Sequence, residues 1–344
     1  MSKIDFIKTD DNSTGLYSND VNDIFHSKLG AYTEALEKFY LPIKDLLKDK
    51  KELNILDICY GIGYNTKVLM NKTSASVINI DALEFDKEYI LLSPFILDSV
   101  DDYNLKCFIL KEIISKIEIN DFDYKAILEQ YKIGNEEFFD ASMSFLNNLS
   151  LQSPYRNIVE AENNRFLHNI YYKYVSNSLT EVVNSSKYIN SCINFHIGDA
   201  RKNILNCNKT YDVVFLDAFS PQKDPTLWSV DFLKLVTDRM NNDSVLVSYS
   251  KSTPFRSALK ELGLYIGKTI LDNVDMGTIA SFNRNNILNP LSEYDHNLLN
   301  TRSGITYKDP DLSLSGFEIL KQREIEQKNS NLISHTQFLK NYSK

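Results

Sequence analysis

The sequence predicts an α/β protein built on a parallel sheet with helices on both faces. Two observations lead there. Short, continuously apolar runs alternate with helical segments, the pattern of strands buried on both sides. Four of those runs also end on an acid, at Asp57, Glu84, Asp199 and Asp217. Acids delivered together to the carboxyl edge of a parallel sheet make a ligand site. The chain has 344 residues, 43% hydrophobic and 24% charged, enough for a sizeable core and too apolar for disorder throughout.

The N-terminal residues MSKIDFIKTDDNSTG lack the apolar stretch of a secretory signal. No run of about 18 apolar residues could cross a membrane, so a cytoplasmic protein without membrane contact is expected. Residues 1–50 are read as an N-terminal helical extension. Apolar positions between 31 and 47 recur three and four apart, and Pro42 should break or kink that helix. Residues 54–58 form a buried strand, followed at once by glycines and a helix over 66–70. A second strand spans 76–83 and ends on Glu84.

From Asp86 to about Lys187 the chain is polar, rich in Asn, Tyr and Glu, and helically patterned. A parallel crossover needs only about a dozen residues. Residues 86–187 are therefore read as a helical insertion between strands two and three, suited to a lid or a substrate-binding subdomain. Strands return at 192–197, 211–216 and 244–249, with weaker candidates at 264–266 and 278–282. Residues 51–85 and 188–285 make the core. Residues 286–344 are a C-terminal extension, loop-like and then helical over about 315–328.

Cysteines 59, 107, 192 and 207 are scattered, and histidines 26, 168, 196, 296 and 335 show no metal-ligand spacing. Reduced thiols and no metal are expected. The net charge of −8 argues against indiscriminate polyanion binding, though a local basic patch can act inside an acidic whole. Two such patches stand out. Lys251, Arg256, Lys260 and Lys268 face Glu261 alone, and the tail carries Lys321, Arg323, Lys328, Lys340 and Lys344 against Glu324 and Glu326. Phosphate binding is one reading; a solvated helix face is the other.

The acids at the strand ends have distinct chemical uses. Gly61 and Gly63 let the backbone turn tightly and approach a ligand. Glu84 lies 21 residues beyond Gly63, where an acid accepts hydrogen bonds from ribose hydroxyls. Asp199 can accept from an adenine amino group. Such a set suits hydroxyls and a positive sulfonium and would repel pyrophosphate. A dinucleotide enzyme also uses a G-x-G turn, but here the third glycine position is Thr66. The turn could also bind nothing. After the strand ending at Asp217, Pro221 and Pro225 stiffen a loop closed by Trp228, the one tryptophan of the chain. That loop could hold an amine or a base near the cofactor, or Trp228 could be a core residue.

The segment FLDAFSPQKDPTLW, residues 215–228, resembles the F-L-D-G-F-[AS]-P-x-K-[ND]-P-x-[ML]-W signature of the MnmC methyltransferase domain. DICYGIGYN at 57–65 is similar to that family's E-T-G-F-G-T-G-x-N motif, and LYSND at 16–20 to its Y-F-S-N-D. Glu84-Phe85 and Gly198-Asp199 fall in matching order. SGITYKDP at 303–310, with Arg323-Glu324, looks like the tail of single-domain members. The likeness covers most of 10–85 and 190–325. It departs at Cys59, a family glycine, and at Ala218, also a family glycine.

The resemblance implies a Rossmann-like class I S-adenosylmethionine-dependent methyltransferase fold with a mostly parallel seven-stranded sheet. It implies methylation of the amine of 5-aminomethyl(-2-thio)uridine at the wobble position of tRNA, without FAD and without the oxidase half. Asp217 is implied as catalytic, and Asp57, Tyr60, Gly61, Gly63, Asn65, Glu84, Asp199, Ala200 and Asp217 as cofactor-binding. Tyr17, Asn19, Phe219, Pro221, Lys223 and Trp228 are implied to meet substrate, joined by Lys251 and Arg256 of the basic stretch. A spermidine-synthase-like aminopropyltransferase or another small-amine N-methyltransferase is the alternative enzyme. A dehydrogenase comes third, and a cofactor-binding module without chemistry is the non-enzymatic alternative.

Overall fold

The computed structural model describes residues 4–18, 23–25, 30–96, 102–117, 136–151 and 177–342. The chain opens with a small antiparallel sheet of β1 (Ile4–Lys8), β2 (Thr14–Ser18) and β3 (Asp23–Ile24). The extension is thus not helical throughout, as the sequence reading had it. The physical reason is local. Asn12 adopts φ 66° in the turn, and the Asp11 carboxylate accepts from the Ser13 N–H and hydroxyl and from the Thr9 hydroxyl. The turn also founds the next helix, because Asp11 accepts from the Thr33 N–H at 2.8 Å and Ser13 Oγ from the Ala31 N–H at 2.8 Å.

That helix is predicted, but its form is not. One α-turn, Ala31–Glu34, runs into a π-helical segment, Ala35–Tyr40, in which the Leu41 N–H donates five residues back to Leu36 at 2.8 Å. Pro42 sits in the turn that follows, and a last α-turn spans Lys44–Leu47.

The central sheet comprises β4 (Glu52–Ile58), β5 (Val77–Glu84), β6 (Cys192–Ile197), β7 (Tyr211–Leu216), β8 (Met240–Ser248), β9 (Tyr265–Leu271) and β10 (Val274–Ser281). Its order is β6-β5-β4-β7-β8-β10-β9. The first five strands in that order pair in parallel, and β10 runs antiparallel to both of its neighbours. Alternation along each strand divides the core between two faces. Ile55, Ile80, Val213 and Val247 face the N-terminal helix and the insertion, while Leu56, Leu83, Val214 and Leu246 face Trp228, Phe232 and Phe255.

The described part of the insertion belongs to that core. The helix Tyr103–Lys116 is the crossover from β5 to β6, with buried Glu112 accepting from the Ile193 N–H at 3.2 Å. Leu105, Phe108, Phe138, Leu149 and Leu179 join the first face. The C-terminal extension holds more helix than the sequence predicts, with Glu293–Leu299 and His335–Tyr342 besides Gly316–Asn329. Arg201 pins it to the core through Asp309, 2.7 Å away and fully buried. No described helix is long and apolar enough to cross a membrane.

Candidate active site

The carboxyl ends of β4 and β7 lie side by side, Ile58 against Leu216. From β4 the sheet extends through β5 to β6 on one side, and through β7 on the other. Such a reversal opens a crevice at the strand ends, the usual ligand site of open α/β sheets.

A glycine turn lines it. Cys59, Gly61 and Gly63 all have positive φ, 65°, 55° and 80°. At Gly63, which caps the helix Tyr64–Lys72, a Cβ would stand 2.4 Å from the Tyr60 hydroxyl. Cys59 adopts a left-handed conformation that glycine takes freely, at a cost of about 1 kcal/mol for a residue with a Cβ. The Cys59 and Tyr60 N–H groups both donate to the Leu83 carbonyl, which fixes the turn to β5.

Three carboxyls converge here. Glu84 accepts from the Gly61 N–H at 2.7 Å and from the Asp86 N–H at 3.0 Å. Burial pushes its carboxyl up to about 7. Asp57, fully buried, accepts from the Thr66 hydroxyl at 2.7 Å, and burial likewise raises it to about 7. Asp217, half-buried, accepts from Asn65 Nδ2 at 2.8 Å. Burial first, then the charge of Glu34, pushes it up to about 8. Among the described residues the donors and the charge of Lys38 do not offset the burial of the set, which opposes ionisation of all three at neutral pH.

Aromatic side chains wall the crevice. Phe25, just past β3, meets Phe219 edge-on at 5.4 Å and Tyr89 at 4.6 Å. The N-terminal sheet is tied down nearby, with the Thr14 N–H donating to the Tyr64 hydroxyl at 3.1 Å. Against the loop after Asp217 opens a cleft of about 680 Å³, lined by Pro221, Tyr249, Lys251, Tyr307 and Arg323 among others.

Several sequence-predicted residues take other roles. Trp228 is not a substrate contact. It is fully buried, donates its indole N–H to the Phe219 carbonyl at 2.8 Å, and packs edge-on against Phe255. Arg256 is not a phosphate contact either. It is 5% exposed, and its guanidinium donates to Thr278 Oγ1 at 2.8 Å and the Gly277 carbonyl at 3.0 Å. Both large side chains fill space that the packed core demanded. Arg323 of the tail is likewise spent on the Ile305 and Ser303 carbonyls. Tyr60 lies buried under the turn, its hydroxyl 3.3 Å from Ser93 Oγ.

The remaining predicted residues sit as follows. Asp199 follows β6, its carboxylate already held by Arg201 at 2.8 Å, and Ala200 is buried beside it. A ligand would share Asp199 with Arg201. Lys223 and Lys251 are exposed, and Tyr17 is half-buried on β2. Asn19 lies outside the described residues, as do His26 and His168.

Other residues were given no site role by the sequence. Phe85, 77% exposed directly after Glu84, offers an apolar face at the site edge; its place beside the acid was the available signal. Glu34, Lys38 and Tyr249 approach Asp217 only through tertiary structure. Asp81, His196 and Cys207 bring donor atoms within 4.8 Å of one another. Asp81 at 2.9 Å and Cys207 at 3.8 Å share His196 Nε2, and the Tyr211 hydroxyl and Lys209 also serve Asp81. The cluster holds the imidazole protonated up to about 9, chiefly through the Asp81 hydrogen bond.

Two buried acceptors at the crevice have no hydrogen-bond partner among the described residues, Asp57 Oδ1 and Asn65 Oδ1. Unpaired buried acceptors are costly, and they flank the glycine turn. They fit a ligand that brings donors and positive charge.

This sheet, with β10 inserted antiparallel beside β8 and with acids and a glycine turn at the crevice, defines a Rossmann-like class I methyltransferase. Residues 161–270 match the family model described as S-adenosyl-L-methionine-dependent methyltransferase. An uncharacterized protein of Methanocaldococcus jannaschii is 31% identical over 320 residues, 92% of this chain and 71% of that protein. The chain belongs to the family of S-adenosyl-L-methionine-dependent methyltransferases. Two tRNA 5-methylaminomethyl-2-thiouridine biosynthesis bifunctional proteins MnmC share shorter stretches. That of Azoarcus sp. is 31% identical over 77 residues and that of Paracidovorax citrulli 33% over 76, in each case 22% of this chain and 12% of the relative. The crystal structure of MnmC2 from Aquifex aeolicus shares the fold, with a TM-score of 0.63 at 24% identity, covering 96% of this chain and 87% of that one.

Proposed function

We propose that this protein transfers a methyl group from S-adenosylmethionine to the primary amine of 5-aminomethyl(-2-thio)uridine at the wobble position of tRNA, in the cytoplasm. The observation that carries the reading is the loop after β7. It presents Asp217 at the crevice on a segment braced from behind by Trp228, and it carries the signature shared with the MnmC domain. The named biosynthetic role of the MnmC relatives supports the choice of tRNA.

The cofactor supplies an electrophilic methyl on a sulfonium. The proposed roles of the chain are to bind, orient and take up a proton. Gly61 and Gly63 admit the cofactor, and Asp57, Asn65 and Glu84 offer acceptors to its donors, with Asp199 and Ala200 at the adenine end. Tyr17, Asn19, Phe219, Pro221, Lys223 and Lys251 are proposed around the substrate. The transfer needs neither metal nor FAD: the C–S bond breaks, the N–C bond forms, and the new secondary ammonium gives up a proton.

An alkylamine with a pKa of roughly 10 is neutral in about one molecule per thousand at pH 7. Desolvation and the nearby sulfonium lower that pKa. Asp217 in its ionised form, which the charges of the sulfonium and the substrate ammonium favour, binds the ammonium and receives its proton, and its raised pKa makes that carboxylate a stronger base than an ordinary one. In-line positioning supplies much of the remaining rate.

The test is methyl transfer from labelled S-adenosylmethionine to bulk tRNA from a strain lacking the modification, followed by nucleoside analysis. The expected product is 5-methylaminomethyluridine or its 2-thio form. Asp217→Ala is expected to lower the rate by about a hundredfold or more while S-adenosylhomocysteine still binds. Absence of product with intact cofactor binding overturns the reading. Turnover of putrescine with decarboxylated cofactor would favour the aminopropyltransferase.

A further inference from the structure

An ammonium group already lies against a side chain that lines the cleft, and it is the protein's own. Lys38 Nζ forms an ion pair with Glu34. It also lies over the ring of Tyr249, 5.8 Å from the centroid. The Tyr249 hydroxyl donates to the carbonyl of Ala218 at 2.8 Å, one residue past Asp217, and Tyr249 lines the cleft. The side chains of Lys38 and Glu34 are 22% and 10% exposed, so this ammonium is largely enclosed. Its charge reaches Asp217, whose carboxyl it lowers while Glu34 raises it. A carboxylate and an aromatic face on one cation, with the Asp217 carboxyl near enough to feel its charge, form the recognition chemistry of an alkylammonium.

We propose that Glu34, Asp217 and Tyr249 form the binding box for the acceptor's alkylammonium, and that Lys38 is an internal placeholder which the substrate cation displaces. The flexible four-carbon stem of Lys38 lets its head swing outward while Glu34 exchanges one ammonium for another. Charge in the box is conserved through the exchange, so an entering amine meets no uncompensated carboxylate. A neutral ligand of the same shape cannot replace the positive charge that Lys38 brings to Glu34, and this gives selectivity for amines.

The identity of the nucleoside rests on the function proposed above; the box itself does not. The experiment is calorimetric titration of the full chain saturated with S-adenosylhomocysteine. The probes are 5-aminomethyluridine, 5-hydroxymethyluridine and putrescine. Wild type is expected to prefer the aminomethyl over the hydroxymethyl nucleoside. Glu34→Gln, nearly isosteric, should weaken amine binding by about tenfold with little effect on the hydroxymethyl compound. Lys38→Met keeps the stem and removes the competitor, and should tighten amine binding several-fold. The opposite signs separate recognition from damage to the fold.

Equal affinities for amine and alcohol in wild type and in Lys38→Met, with putrescine equally unaffected by both substitutions, would overturn the box. Putrescine affinity that follows the predicted signs while tRNA receives no methyl would uphold the box and sink the tRNA reading alone.

Discussion

At Cys59 the turn holds a residue with a Cβ in a conformation that glycine adopts freely, φ 65°. Cys59→Gly is expected to relieve that strain, and the gain is offset in part by the greater unfolded freedom of glycine. The net expectation is a stabilisation of up to about 1 kcal/mol, measured by urea unfolding; a loss of stability would show that the thiol contributes packing worth more than the strain. The acids of the site were legible in the sequence because a strand that ends on a carboxylate delivers it to the sheet edge whatever the details of packing. Trp228 and Arg256 were not, since a large side chain near a site serves equally as contact or as filler. Only burial, 0% and 5% exposed, decides between those uses. Glu34 and Lys38 carried no signal at all: four apart on a helix, they look like any surface pair.

Among the elements, the strands of the central sheet were readable because continuous apolar runs leave little choice of structure. The strands β1 to β3 were not, being short, half polar and fixed by the turn at Asp11 rather than by pattern. One guanidinium makes several of the contacts that hold the C-terminal extension. Arg201 reaches Asp199, Asp309 and the Leu314 carbonyl together, and Asp309 also accepts from the N–H groups of Ser313 and Leu314. Removing one partner of a buried pair leaves the other uncompensated. Arg201→Met is therefore expected to destabilise the protein by about 3 kcal/mol and to speed proteolysis between residues 305 and 315. Unchanged unfolding and cleavage would mean that the tail is held elsewhere, by Arg323 or by packing of Ile319.

Over the whole molecule the titrating groups set a direction with pH. Asp57 and Glu84, raised to about 7, and Asp217, raised to about 8, hold their protons more tightly folded than unfolded. His196, raised to about 9, does the same. Stability from each is fully present below its unfolded pKa and is lost as pH rises through the folded one. The ligand-free protein should therefore lose stability from pH 5 to pH 9 in urea midpoints, and a rise over that range would contradict the assignment. A cationic, donor-rich cofactor favours the ionised carboxyls, so its affinity should increase from pH 6 to 8 with release of protons, measured in buffers of different ionisation enthalpy. The π-helical segment Ala35–Tyr40 bears on how the site can change over generations. Its wider turn spans one more residue than an α-helical path. Deleting a single residue between 35 and 37 would return the segment to an α-helical path and bring Glu34 and Lys38 from four apart to three apart, still neighbours on one face. The segment can therefore gain or lose that one residue over generations without parting the carboxylate from its ammonium.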